Sequence, residues 1–303
     1  MLDDIYEIDA RPAPSAVVYK YVAAERVDVL RNANIRFTPP LNTNDIFEVR
    51  QTFELLAGPK MQNLFAEQAT ALNIDETIAD ALKETPLAGM SVAAVKQFFS
   101  ATVGGDLETS MRDMLGMVLK DAVFPTMNSP KAMDDLLVKL GSDLICLSLT
   151  ERFDSSPMWA HYAGNSTGFV IAFDTTSPFF RRGDDGERQG LHKITYFDGK
   201  IAEVMDDVYA AFMSKQEDWA YEREWRLYVK ANQASKTLTV GTDTIHLVDF
   251  PRDAVQRVIL GLRASEDLEA AVTELLATDY PHATLTRVQA DRATASLAEV
   301  SIT

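Results

Sequence analysis

The stretch from Leu144 to Phe173, LICLSLTERFDSSPMWAHYAGNSTGFVIAF, constrains the fold more than any other, because it predicts strand, short helix and strand in immediate succession. Ile145, Leu147 and Leu149 alternate with Cys146, Ser148 and Thr150, so one face of the first strand is apolar and the other carries two hydroxyls and a thiol. Met158, Trp159 and Tyr162 follow a Ser-Ser-Pro start at helical spacing, and Gly164 with Asn165 ends that turn. The run GFVIAF is too short and too apolar for anything but a buried strand. A strand edge bearing small hydroxyls under an aromatic helix is a common way to build a ligand cleft.

A second landmark is WAYEREWRLYVK, from Trp219 to Lys230. If the backbone is extended, Glu222 and Glu224 share one face, with Arg223 and Trp225 on the other. From Glu224 onward, Trp225, Leu227 and Val229 alternate with Arg226, Tyr228 and Lys230, which predicts a strand. Two carboxylates leading into a strand can act on one substrate atom from a fixed position. The bland alternative is the solvated face of an edge strand, with Glu224 pairing Arg226 or Lys20.

Around these landmarks the chain divides by periodicity. Ala16 to Val22 predicts a first strand, with Lys20 set between Tyr19 and Tyr21. A helix over Ala23 to Arg31 and a strand over Ile35 to Thr38 follow, then a loop from Pro39 to Asp45 that two prolines open. Asn44 and Asp45 suit capping that loop. From about Phe47 to Leu140 the spacing turns helical, over Met61 to Leu72, Asp75 to Lys83, Val92 to Val103 and Leu107 to Val123. We read this region as a helical insertion in a single domain spanning residues 1–303, either scaffold or partner surface. Its Met111, Met114 and Met117 predict a core stripe. A charged, glycine-containing mobile loop is expected over Thr175 to Gln189. Then come a strand His192 to Phe197, a helix Ile201 to Lys215, strands near Leu238 to Val240 and Ile245 to Val248, and VQRVILGL. A helix from Ser265 to Ala277 and a strand Thr284 to Val288 close the chain.

Composition narrows the function classes. A chain of 303 residues with 47% hydrophobic and 24% charged residues supports a substantial core. The net charge of −16 argues against sequence-indifferent grip on phosphate backbones, while leaving room for a local basic pocket. One cysteine, Cys146, excludes a disulfide framework or a Cys-based zinc site within one chain. The lack of a long apolar run and the acidic N-terminus predict no membrane span and a cytoplasmic address. The four histidines, His161, His192, His246 and His282, are scattered without HxH or HExxH spacing, so no metal site is expected. No GxGxxG, Walker or GxSxG motif is present, and Cys146 has no neighbouring histidine. Glu222 and Glu224 remain as the residues that could do chemistry.

The succession VYKY, a Leu-Asn-x-Asn-Asp loop, CLSLT, MWAHYA, GFVIAFD, KQEDWAYEREWRL and RVILG resembles the bacterial proteins grouped as the DUF2971 domain family. The likeness runs from about Val17 to Val288, apart from the helical insertion. A more distant resemblance is to ADP-ribosyltransferase folds, in which an Arg or His strand, a hydroxyl or Tyr strand and a Glu strand line an NAD cleft. VYKYVAAERVDVLRNANIRFTPP is similar to the opening unit of that fold, CLSLT to the middle motif and YEREWRLYV to the Glu strand.

This resemblance implies an α+β fold, an ADP-ribosyltransferase-like split β-sandwich with a helical insertion, and NAD as substrate. It implies Glu224 as the catalytic carboxylate and Glu222 as its companion, orienting or deprotonating the acceptor. It places Lys20 near a ribose or phosphate oxygen, flanked by Tyr19 and Tyr21, and Ser148 and Thr150 at the middle motif. Tyr162 or Tyr21 would stack on nicotinamide, while Trp159 and Trp225 suit core packing. Lys20 departs from the pattern, since it lacks the bidentate fork of arginine. The implied partners are a protein or nucleic-acid acceptor and, for a toxin or phage-defence effector, an antitoxin or regulator. Rival expectations are a non-catalytic protein-interaction module with a vestigial cleft, and a nuclease using the carboxylates with magnesium.

Overall fold

The computed structural model describes residues 14–40, 53–55, 58–141, 143–181, 190–198, 201–203, 210–241 and 243–302. The chain opens with β1 (Val17–Val22), a 3-10 turn, α1 (Asp28–Asn32) and β2 (Asn34–Phe37). A short β3 (Phe53–Leu55) leads into α2 (Pro59–Ala71), α3 (Ile74–Lys83), α4 (Val92–Thr102) and α5 (Leu107–Val118), which runs through a π turn into α6 (Phe124–Met127) and then α7 (Pro130–Gly141). The central stretch forms β4 (Leu144–Thr150), α8 (Ser156–Tyr162) and β5 (Phe169–Asp174). Short elements follow: β6 (Leu191–Lys193), β7 (Thr195–Phe197), β8 (Ile201–Glu203), α9 (Ala210–Met213) and β9 (Ser214–Gln216). The chain ends with β10 (Glu224–Lys230), β11 (Lys236–Val240), β12 (Asp243–Asp249), β13 (Val255–Leu260), α10 (Glu266–Asp279), β14 (Thr284–Asp291) and β15 (Ser296–Ser301). The fold is α+β.

Two compact units divide these elements: Met1–Thr52, Val138–Gly199 and Phe212–Thr303 form the first, Phe53–Leu137 and Lys200–Ala211 the second. In the first, eight strands lie in the order β15-β14-β13-β5-β1-β4-β10-β6, all antiparallel except the β13–β14 pair. The pairing is uneven. β1 follows β5 over six positions, and β4 follows β10 over seven, yet β1 and β4 meet at the single pair Tyr19 and Thr150. Away from that contact the edge of β4 turns to Thr38, which exchanges backbone hydrogen bonds with Cys146, both 2.8 Å. Thr38 follows β2, so this bridge joins β4 to the three-stranded sheet β11-β12-β2. The large sheet therefore parts between β1 and β4.

Period-two alternation explains which face goes where. Ile145, Leu147 and Leu149 of β4 enter the main core beside Leu30, Phe37, Phe173 and Phe250, and α10 adds Leu268, Val272 and Leu276. Tyr19 and Tyr21 instead join a second cluster with Met158, Trp159, Val170 and Ile259, which α8 covers. Two glycines permit the tight chain crossing beside α8: a Cβ on Gly168 would lie 2.1 Å from the Val22 carbonyl oxygen, and one on Gly261 2.2 Å from that of Ser166.

In the second unit the helices carry local caps, with Asn73, Ser91 and Asp106 accepting from backbone amides at the starts of α3, α4 and α5. Arg112 donates to the Ala69, Thr70 and Leu72 carbonyls at the end of α2 while pairing with Glu108.

Several expectations need correction. Ile201 to Lys215 is not one helix: its described parts are β8, α9 and β9, because β9 is drawn into parallel pairing with β7. His192 to Phe197 is two strands, since β6 pairs β10 while β7 pairs β9. β15, an edge strand with no fully buried residue, was not foreseen. Met114 and Met117 are 61% and 58% exposed, not a core stripe. The loop from Leu41 to Asp45 and residues 182–189 of the charged loop lie outside the described residues. No helix among the described residues is long and apolar enough to cross a membrane.

Candidate functional site

The opening between β1 and β4 is a cavity of about 300 Å³. Lys20 sits at its head and donates from Nζ to the Ser148 carbonyl, 2.8 Å away, so a side chain satisfies a backbone oxygen where the ladder has parted. Burial holds the Lys20 ammonium below its ordinary pKa, with the Glu224 charge opposing that shift.

Seven of the residues singled out from the sequence line this cavity: Tyr19, Lys20, Tyr21, Ser148, Tyr162, Glu222 and Glu224. They come from β1, β4, α8 and the entry to β10. Thr150 does not line it; its hydroxyl donates to the Glu222 carbonyl at 2.5 Å and accepts from the Arg152 amide. The Tyr19 hydroxyl accepts from Arg257 at 2.9 Å, and the Tyr21 ring meets Trp159 edge-on at 5.1 Å.

Glu222 and Glu224 do not share a face of one extended segment. Glu222 ends a 3-10 helix, Arg223 takes a left-handed conformation (φ 44°, ψ 53°), and Glu224 starts β10. Both carboxylates are nevertheless buried, at 4% and 3% exposure, which overturns the solvated-edge reading. Arg226, two positions along β10, grips Glu224 with both arms of its fork, Nε to Oε1 at 2.7 Å and Nη2 to Oε2 at 2.9 Å. Lys215 lies between the acids, 2.7 Å from Glu222 Oε2 and 3.4 Å from Glu224 Oε2. Tyr162 donates to the other Glu222 oxygen at 2.5 Å.

Burial alone would raise the Glu224 pKa. The charges of Arg226 and Lys215, with hydrogen bonds from Arg226 and Ser148, outweigh it and hold the group at about 2. Burial and the Glu222 charge push the Tyr162 phenol up, so it remains a donor.

Linkage gives a pH prediction. A carboxylate held below its ordinary value of 4.5 adds stability that is fully present above that value and is lost as pH falls toward about 2. Melting temperature should therefore drop through that interval, and Glu224→Gln should flatten this part of the profile. A wild-type profile already flat there would refute the assignment.

Sequence reasoning missed Arg36 and Lys215 as cavity residues and treated Arg226 only as a partner for Glu224. Spacing exposes Arg226, because i and i+2 share a strand face. No local signal marks Lys215, which lies in a stretch that reads as helix. Among the described residues no group of three or more His, Cys, Asp or Glu is placed to hold a metal ion. In sum the cavity presents four cations, Lys20, Arg36, Lys215 and Arg226, against two carboxylates, in a chain of net charge −16.

Residues 158–227 match the family described as "Protein of unknown function (DUF2971)". That segment carries Tyr162, Lys215, Glu222, Glu224 and Arg226, half of the polar machinery described above. No curated protein and no solved structure matches the chain.

Proposed function

We propose that this DUF2971-bearing chain is an ADP-ribosyltransferase-like enzyme with NAD as its substrate, acting as a toxin or defence effector, and that the parted sheet is a split β-sandwich of that type. One observation carries the reading. Lys20, Ser148 and Glu224, drawn from three distant stretches, line a single cavity, and their strands are neighbours in the order β1-β4-β10, with the hydroxyl strand in the middle. Buried charge of this kind is expensive to maintain and concentrates at functional sites.

The chemistry follows from the geometry. Breaking the bond between ribose C1′ and the nicotinamide nitrogen sends the bonding pair to nicotinamide, which leaves neutral, and builds positive charge on the sugar. Glu224, ionised and fixed on β10, stabilises that charge electrostatically and needs no reorganisation to do so. An acceptor lone pair forms the new bond to C1′, and the acceptor proton passes to Glu222, which Tyr162 and Lys215 hold in place. The Ser148 hydroxyl orients the ribose, and Tyr19 and Tyr21 form an aromatic wall. The acceptor is a macromolecule, protein or nucleic acid.

Two experiments test this. NAD at a hundred times its dissociation constant should stabilise the protein by about 2.7 kcal/mol, seen as a rise in melting temperature. Labelled NAD mixed with cell extract should transfer label or release nicotinamide, and Glu224→Gln should abolish it; equal activity in both proteins removes Glu224 from its role. The second unit supports a rival reading as a protein-interaction module, since Phe98 and Val103 are 67% and 68% exposed. A chain indifferent to NAD that captures a protein through that unit would favour the rival.

A further inference from the structure

We infer that the outer face of α5, built on Met114, Met117 and Val118, docks an amphipathic helix of a partner protein whose apolar face is flanked by lysine or arginine. This surface belongs to the second unit and is independent of the cleft chemistry proposed above.

Apolar surface is spread unevenly over the chain. Among the described residues, ten of the fourteen large apolar side chains that stay exposed lie within residues 64–118. Helices α4 and α5 contain no buried residue. Apolar side chains scattered singly are ordinary on a surface, whereas adjoining ones mark a binding site. On α5 they adjoin: Met114, Met117 and Val118, at 61%, 58% and 47% exposure, stand three and four positions apart and share one face. The helix itself is anchored from its other side, where Arg112 reaches the carbonyls that end α2 and Glu108 pairs with Lys96 of α4. A π turn, Leu119–Val123, follows, closed by the Phe124 amide donating to the Leu119 carbonyl. It shifts the apolar register, so that Phe124 meets Phe65 of α2 at 6.0 Å while the side chains before it face outward. Such turns are rare and recur at functional sites.

Side-chain type and charge define what covers this face. Seven of the chain's eleven methionines fall within residues 53–137, and a flexible, polarizable thioether adapts its packing to the apolar face of a docking helix. The cations around α5 are turned away from the stripe: Arg112 and Lys96 are held by the contacts just described, Lys96 pairs also with Asp75, and Lys120 lines the groove between α2 and α5. Asp113 and Asp121 are exposed beside it, one preceding Met114 and the other four positions beyond Met117. Over residues 53–137, Asp and Glu outnumber Lys and Arg twelve to six. Basic flanks on the incoming helix meet these acids with complementary charge, whereas a second copy of the same face would bring like charges together.

Fluorescence anisotropy of the full chain with labelled peptides of about 18 residues tests the surface. One peptide is a helix with a leucine face flanked by lysines, another has the same leucines flanked by glutamates, and a third scrambles the order of the first. The lysine-flanked helix should bind and slow hydrogen exchange over Leu107–Val118, and the other two should bind roughly tenfold more weakly or worse. Met114→Gln combined with Met117→Gln should weaken the lysine-flanked helix roughly ten- to a hundredfold, because two apolar contacts are lost. Asp113→Asn combined with Asp121→Asn should weaken it several-fold and reduce its salt dependence between about 50 and about 300 mM. All four side chains are exposed, so both double variants should melt like wild type without peptide.

Equal affinity in wild type and the methionine variant overturns the site, since the peptide would then be held by negative charge elsewhere on the chain. Equal binding of the scrambled peptide overturns it for the same reason. Equal binding of the glutamate-flanked helix overturns the basic partner. A dimer in sedimentation velocity that the methionine variant dissociates gives the face to a second copy and overturns the partner named here, as does binding of none of the three peptides. All of these outcomes leave the NAD reading to its own tests on the cleft.

Discussion

Arg226→Met should destabilise the protein by about 3–5 kcal/mol, the usual result of removing one partner from a buried ion pair. Arg226 is 1% exposed, and its guanidinium makes two bonds to Glu224, one to the Phe212 carbonyl at 3.0 Å and one to the Tyr228 hydroxyl at 3.4 Å. Methionine fills much of the volume but leaves the Glu224 carboxylate buried with Lys215 at a long 3.4 Å and the Ser148 hydroxyl. Arg226→Lys should recover little, since an ammonium cannot reproduce the fork. Glu224→Gln combined with Arg226→Met should be more stable than the sum of the single losses, because the stranded charge is gone. Urea unfolding of wild type, the three single variants and the double variant measures this. A loss below about 1 kcal/mol in Arg226→Met would show that the pair contributes no more than a surface bridge.

Trp159→Ala should have a comparable effect, about 3–5 kcal/mol, as expected for deleting a large aromatic from a packed core. Trp159 is 1% exposed, meets Tyr21 edge-on, and donates from its indole nitrogen to the Phe153 carbonyl at 2.6 Å. It anchors α8, one turn before Tyr162, whose hydroxyl holds Glu222. On the function proposed above, the variant should lose the rise in melting temperature on adding NAD as well as intrinsic stability. Trp159→Phe keeps the apolar body but strands the Phe153 carbonyl, so its loss should be smaller and its NAD response retained. An alanine variant as stable as the phenylalanine one would show that α8 does not depend on this anchor.

Local chemistry explains which parts of the fold were legible beforehand. The helices of the second unit emerge close to their expected ends, because amphipathic spacing and caps such as Asn73 and Asp106 act within a few residues. β4 and β5 were legible for the same reason, since alternation and a short apolar run are local patterns. Ile201 to Lys215 misled because its residues suit a helix, while pairing of β8 with β3 and of β9 with β7 makes its two ends extended. The exposed methionines misled because apolar spacing names a stripe without saying whether anything packs on it.

The same division runs through the candidate site. Glu222, Glu224 and Arg226 stand within one short segment, so their chemistry was visible as spacing, although the left-handed Arg223 between the acids was not. Ser148 was visible as the polar side of an alternating strand. Arg36 was not visible because it lies far along the chain from the acids, and Lys215, only seven residues before Glu222, was not visible because its stretch reads as helix while β9 in fact pairs with β7.

Residue type and spacing alone thus determined that this chain has a hydroxyl-bearing strand, an aromatic helix over it and a pair of acids opening another strand. Tertiary structure alone decided that β1 and β4 meet at one residue pair and then part, that Lys20 caps the exposed carbonyl, and that Lys215 falls between the two carboxylates. The physical reason is range: periodicity, capping and the i, i+2 approach of Arg226 to Glu224 act over a few residues, whereas the parting of β1 from β4 and the placing of Lys215 depend on which strands lie side by side.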